Sequence, residues 1–154
     1  MAKSEWADLS EGQMVRRIGR LLGVTFDETE TVGLGGTPVG LAEVGEDSFV
    51  ALEVEQKHTH PAENVLQYWP WMERNRRRLV LIHAIAPDAR KRTGHRAELT
   101  RWLGAMMERV LPGRFTYCRL DLGTADEPAQ VDAARAAILA LQTTDRERKL
   151  APGL

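Results

Sequence analysis

Glu53, Glu55 and Lys57 stand at every second position of Phe49-Val50-Ala51-Leu52-Glu53-Val54-Glu55-Gln56-Lys57, a run otherwise apolar enough for a strand covered on both faces. A period of two puts all three charges on one side of that strand. Burying such groups without partners is expensive, so either the strand end is solvated or the charges have a task. Carboxylates gathered at a strand end suit a hard divalent cation such as Mg²⁺ or Mn²⁺, which takes oxygen ligands and keeps several waters.

The charge along the chain is uneven in a way that fits such chemistry. Residues 1–73 carry 13 acids against 5 bases, a balance of -8. Residues 74–101 carry 9 bases (Arg74, Arg76, Arg77, Arg78, Arg90, Lys91, Arg92, Arg96, Arg101) against Asp88 and Glu98, a balance of +7. An acidic block followed by a basic one is the pattern of a protein holding metal on carboxylates and phosphate on arginines. It is equally the pattern of a solvated arginine-rich loop and helix face.

The elements that must position these residues alternate. Ser10-Glu11-Gly12-Gln13 has the form of a capping box, and Met14, Val15, Ile18, Leu21 and Leu22 follow helical spacing, predicting a helix over 10–23. Residues 24–37 are rich in Thr and Gly, with a turn at 33–36 and room for one short strand. The runs 38–44 and 49–57 flank Gly45-Glu46-Asp47-Ser48 as a hairpin. A helix begins at His60-Pro61, with Val65, Leu66, Trp69 and Met72 as its buried stripe, and Pro70 should kink or end it near Trp69. Arg78–Ala86 reads as a central strand and 87–95 as a polar loop. Residues 96–111 read as a helix with Leu99, Leu103, Met106 and Val110 inward, 114–122 as a strand and 128–142 as a helix. The charged tail 143–154 should fray. The expected fold is one α/β domain over 1–154, a mixed β-sheet flanked by helices.

Composition sets further bounds. With 154 residues, 43% of them hydrophobic, the chain is long enough to bury a core by itself. No window approaches the ~18 apolar residues of a membrane span, and the first residues contain no apolar leader, so a cytoplasmic protein is expected. Cys118, the single cysteine, reads as a buried structural thiol. His58 and His60 lack a third ligand at diagnostic spacing, His83 reads as a satisfied core imidazole, and His95 reads as solvated. No Gly-rich phosphate turn joins a strand to a helix, and no Gly-x-Ser-x-Gly occurs, which removes Rossmann, P-loop and nucleophile-elbow chemistry.

The element order and the charged strand together resemble the PD-(D/E)XK nuclease superfamily, the restriction-endonuclease-like fold, over roughly residues 10–86. Glu55-Gln56-Lys57 matches (D/E)-x-K at the end of a strand, Glu43 lies on the preceding strand, and Glu11 lies on the first helix, where many members carry another acid. The resemblance implies a core of helix, β-meander, helix and strand, here with a C-terminal helix-strand-helix extension. Two alignments stay open. If Glu53 is the motif acid, Glu55 falls in the lysine slot and Lys57 is displaced by two. Whether Glu43 joins Glu53 depends on the hairpin loop, since a four-residue loop pairs position 43 with 50 and points it away. Pro38 is followed by Val39, so the family's Pro-Asp signature is absent.

What the resemblance implies is Mg²⁺- or Mn²⁺-dependent phosphodiester hydrolysis, by an active or a degenerate member. Glu43, Glu53 and Glu55 would hold the ion and Lys57 would orient water or stabilise the phosphate. Asn64, Gln67, Tyr68 and Trp71 would flank the site on the following helix. Arg74, Arg76, Arg77, Arg78, Arg90 and Arg92 would hold a nucleic-acid backbone. The rival expectation is a noncatalytic module whose carboxylate strand and Tyr/Trp helix contact a protein partner or a second copy.

Overall fold

Ser10 opens the first helix as its sequence requires. In the computed structural model, which describes residues 5–27, 39–56, 61–93 and 95–151, the Gln13 N–H donates to the Ser10 hydroxyl, and the Ser10 N–H donates to the Gln13 side chain. Helix α1 (Glu11–Leu22) buries Met14, Val15, Ile18 and Leu22, then stops at Gly23, whose left-handed φ of 69° suits a glycine.

Strands β1 (Gly40–Gly45) and β2 (Ser48–Glu55) form the antiparallel hairpin; β3 (Arg78–Ile85) and β4 (Phe115–Asp121) follow in parallel, giving the mixed sheet order β1-β2-β3-β4. Asp27 adds one antiparallel bridge to Leu41; the remainder of the short strand expected over 24–37 falls almost wholly outside the described residues. Helices α2 (Pro61–Leu66), α3 (Tyr68–Asn75), α4 (Pro87–Thr93), α5 (His95–Val110) and α6 (Glu127–Leu150) complete the described chain. None of its helices is long and apolar enough to cross a membrane.

Both faces of β2 and β3 are covered, which is why their sequences are nearly continuous apolar runs. Val50, Leu52, Val80 and Ile82 face a core shared with α1 and α6. Phe49, Ala51, Leu79 and Leu81 face a second core shared with α2, α3 and α5. Along this second face the residues turn polar toward the C-terminal ends of the strands.

Several elements depart from expectation, each for a physical reason. The helix after β2 breaks at Gln67, before Pro70. Pro70 then sits in the first turn of α3, where a missing N–H leaves no helical bond unmade. Gln67 keeps helical φ and ψ of -58° and -25°, so the helical phase runs on: Val65, Tyr68 and Met72, at i, i+3 and i+7, are buried together with Trp71, while Leu66 is exposed and Trp69 half-buried. Residues 87–93 form α4 rather than a loop, started by Pro87 with Asp88 in its first turn. Helix α5 buries Ala97, Thr100, Gly104 and Met107, and leaves Leu99 and Val110 exposed. Its rotation follows from a close approach: a Cβ on Gly104 would lie 2.4 Å from Tyr117 Cγ.

The C-terminal helix continues to Leu150 instead of fraying at 143. Asp145 anchors it, accepting the Glu46 N–H at 3.1 Å and pairing with Arg78 at 3.4 Å. Arg78, expected to contact phosphate, is instead buried and also donates to the Ser48 hydroxyl at 2.7 Å. Asp145→Ala should cost ~3–5 kcal/mol in urea denaturation, because it strips a buried guanidinium of its carboxylate. Arg76→Ala, at an exposed position, should change stability by less than ~0.5 kcal/mol.

Candidate functional site

Glu53 and Glu55 are consecutive residues on the second-core face of β2, at its C-terminal end, and both are buried, Glu55 completely. Each is held by an amide from the helical segment that follows. Gln67 Nε2 donates to Glu53 Oε1 at 3.1 Å, and Asn64 Nδ2 donates to Glu55 Oε1 at 2.7 Å. The Tyr68 hydroxyl donates to Glu53 Oε1 at 2.6 Å. Gln67 is itself tied down through a second bond to the Asn64 carbonyl, 3.0 Å away.

His83 extends the network across the sheet. Its Nε2 lies 3.0 Å from Glu55 Oε1 and its Nδ1 2.8 Å from the Tyr117 hydroxyl. A carboxylate oxygen only accepts, so Nε2 carries the hydrogen; in the neutral ring Nδ1 then accepts from the Tyr117 hydroxyl. Thus Asn64, Glu55, His83 and Tyr117 form one hydrogen-bonded chain over α2, β2, β3 and β4. Beyond it, Arg119 Nε donates to Asp121 Oδ1 at 2.9 Å, and Gln130 Nε2 donates to Asp121 Oδ2 at 2.8 Å.

Burial dominates the electrostatics. It pushes the Glu53 carboxyl from 4.5 up to about 8, partly opposed by the Tyr68 hydrogen bond and reinforced by the charges of Glu55 and Glu11. Glu53 is therefore a neutral acid at neutral pH in the absence of a cation. Burial and the neighbouring Glu53 likewise push Tyr68 far up, and burial raises Tyr117. Cys118, expected to be buried, is half-buried; desolvation still pushes its thiol to about 12, which suits a structural role and not a nucleophile.

The remaining predicted residues divide by location. Glu43 pairs with Phe49, because Val44 is bulged and the turn is only Glu46-Asp47. That brings Glu43 to the Glu53 face, but it is exposed and about 13 Å, four residues of strand, from Glu53's level. It therefore stands apart from the carboxylate pair. Lys57, with His58 and His60, lies outside the described residues, as does the side chain of Arg92. Arg74, Arg76 and Arg77 lie at the hairpin end, beside Arg78. Arg78 is level with Ser48, whereas Glu55 is level with Ile85, so these arginines sit about 23 Å of strand away from the carboxylates. Arg77 stacks on Phe49 and Trp71, with centroid distances of 4.7 and 5.0 Å. Arg90 alone of the named arginines with a described side chain is at the carboxylate end, one turn beyond Ala86, whose N–H donates to the Glu55 carbonyl.

Tyr68 and Trp71 pack in the core and meet edge to face at 6.5 Å, so they offer no surface to a protein partner. His83 is the satisfied core imidazole that its apolar strand suggests, and His95 is exposed. Tyr117, Arg119 and Asp121 were not legible as site residues. Their only signal is alternation along β4, and which strand end they reach depends on parallel pairing. A cavity of about 520 Å³ opens at the same end of the sheet, lined by Trp6, Glu11, Gln56, Ala86 and Asp88 among others; Glu53 and Glu55 are not part of its wall. Compared with protein-family models, curated proteins and solved structures, the chain matches none.

The folded state holds the Glu53 proton more tightly than the unfolded chain does. Its contribution to stability is whole below about pH 4.5 and is lost as pH rises toward 8. Thermal melts should show that decline, and Glu53→Gln should flatten it and exceed wild-type stability at pH 8 by on the order of a few kcal/mol.

Proposed function

We propose that the chain is a divalent-metal-dependent phosphodiesterase of the nuclease type, with Glu53 and Glu55 as its carboxylate centre and nucleic acid as its substrate class. The observation that carries this is a pair of carboxylates at the C-terminal end of a strand, each positioned by its own amide, Gln67 or Asn64. Ends of parallel strands are where open α/β sheets take ligands. A core that needed only stability would be better served by apolar residues of similar volume.

The donor set fits a hard cation. It offers carboxylate oxygens, with Glu11 close enough for its charge to raise the Glu53 carboxyl. Among the described residues no group of three or more His, Cys, Asp or Glu side chains is placed to hold a metal ion, so the ion would rest on the two carboxylates and water. Mg²⁺ needs only one or two protein carboxylates, water completing its shell. Once bound, such an ion supplies an activated water and neutralises charge developing on the phosphate.

The chain's own side chains do the positioning. Tyr68 and Gln67 fix the orientation of the Glu53 carboxyl, and Asn64 and His83 that of Glu55; because both are buried, a cation would reach them only by displacing part of their cover. Arg90 supplies a reason to expect phosphate: its Nη1 is buried and has no hydrogen-bond partner among the described residues, and a phosphate oxygen would provide one. In this arrangement the hairpin-end arginines are too distant to contact a phosphate held at the carboxylates.

Calorimetry with Mg²⁺ or Mn²⁺ should show binding at millimolar metal with a matching rise in Tm, and both should vanish in the Glu53→Gln, Glu55→Gln double variant. That variant should also lose cleavage of mixed DNA and RNA substrates. Absence of metal binding to the wild type, or full cleavage by the double variant, would end this assignment. For nucleic-acid binding, Arg90→Ala should reduce the salt slope by about 1, whereas Arg74→Ala should leave it unchanged if the carboxylate end is the binding face.

A further inference from the structure

Helix α5 carries on its outer side an apolar stripe that includes Leu99 and Val110, two of the residues its sequence pattern assigns to the core. Leu99, Trp102 and Val110 are 54%, 60% and 50% exposed, with half-buried Met106 between the last two. Their spacing of three, four and four residues keeps them on one side over about 17 Å of helix. Leu66, at the end of α2, which packs against α5, is 48% exposed as well. An exposed apolar run of this kind, containing a tryptophan, is the type of surface that soluble proteins cover.

The charges beside the stripe indicate what covers it. Glu98 and Arg109 are eleven residues apart, three turns of helix, and so flank the stripe on the same side near its two ends. Arg109 is exposed, and the Glu98 side chain is 62% exposed despite contacts to Arg101 and Arg119 in its own protomer.

We propose that α5 pairs antiparallel with α5 of a second copy of this chain, about a two-fold axis level with residues 104 and 105. In that register Leu99 meets Val110 of the second copy, Trp102 meets its Met106, and Glu98 meets its Arg109; every contact occurs twice. Parallel pairing would set Glu98 on Glu98 and Arg109 on Arg109, so the charge pattern selects the antiparallel arrangement. The stripe exposes on the order of 400 Å², about half the ~800 Å² per partner of a standard interface. The dimer is accordingly weak and concentration-dependent. It does not depend on the proposed phosphodiesterase activity, because the face lies on the side of α5 turned away from the sheet.

Sedimentation equilibrium of the full chain from low micromolar to millimolar concentration should show a monomer–dimer equilibrium. Trp102→Glu should raise its dissociation constant tenfold or more, with circular dichroism and Tm unchanged because the position is exposed. Arg109→Glu should also weaken the dimer by opposing Glu98, and adding Glu98→Arg should restore it. A chain monomeric at every concentration overturns the proposal, as does a dimer indifferent to Trp102→Glu. Failure of the double charge exchange to restore a dimer lost in Arg109→Glu overturns the antiparallel register.

Discussion

Desolvation of the two β2 carboxylates is the constraint around which the carboxylate end of this molecule is arranged. The strand has a neighbour on each side and a helical layer over each face, so Glu53 and Glu55 cannot be hydrated as surface acids are. They are accommodated by hydrogen bonds from Asn64, Gln67, Tyr68 and His83, and Glu53 additionally keeps its proton near neutrality. This explains why the helical segment after β2 is amphipathic in an unusual sense. Its sheet side is apolar at Val65 and Met72 but carries amides and a phenol where it crosses the carboxylates.

Tyr117 reaches His83 because α5 yields space to it. Gly104 lies over the Tyr117 ring, and the small residues Ala97 and Thr100 continue that close approach. The same approach turns the larger residues of α5, Leu99 and Trp102, to the outside. A polar chain inside the protein and an apolar stripe on its surface are thus two consequences of one helix orientation. At the other end of the sheet, Asp145 joins the hairpin turn, Arg78 and the end of α6, which makes a charged segment expected to fray part of the fold.

The basic block of residues 74–101 is not one surface. Its first part gathers at the hairpin end, where Arg78 is buried and Arg77 lies against aromatic rings; its second part begins at the carboxylate end. Strand β3 separates them, since a strand runs from one end of the sheet to the other and delivers the residues before and after it to opposite ends. Among the described side chains of this block, any phosphate-binding role for the carboxylate end therefore rests first on Arg90.

What the sequence determined by itself was local and periodic. Capping at Ser10, the burial of β2 and β3 on both faces, the hairpin at 45–48, the central place of β3 and the pairing of Glu53 with Glu55 on one face all follow from rules reaching no further than a few residues. The mixed α/β class followed from the order of those elements. Tertiary structure decided the rest, because it depends on contacts between distant residues. Asp145 reveals its anchoring role only when α6 returns to Arg78, 67 residues earlier. The true inner face of α5 appears only once Gly104 has met Tyr117, and Tyr117 joins the carboxylates only through β3–β4 pairing. Side-chain periodicity specifies which residues share a face, but not which neighbour that face will meet or how closely, and the membership of the site was set by those long-range approaches.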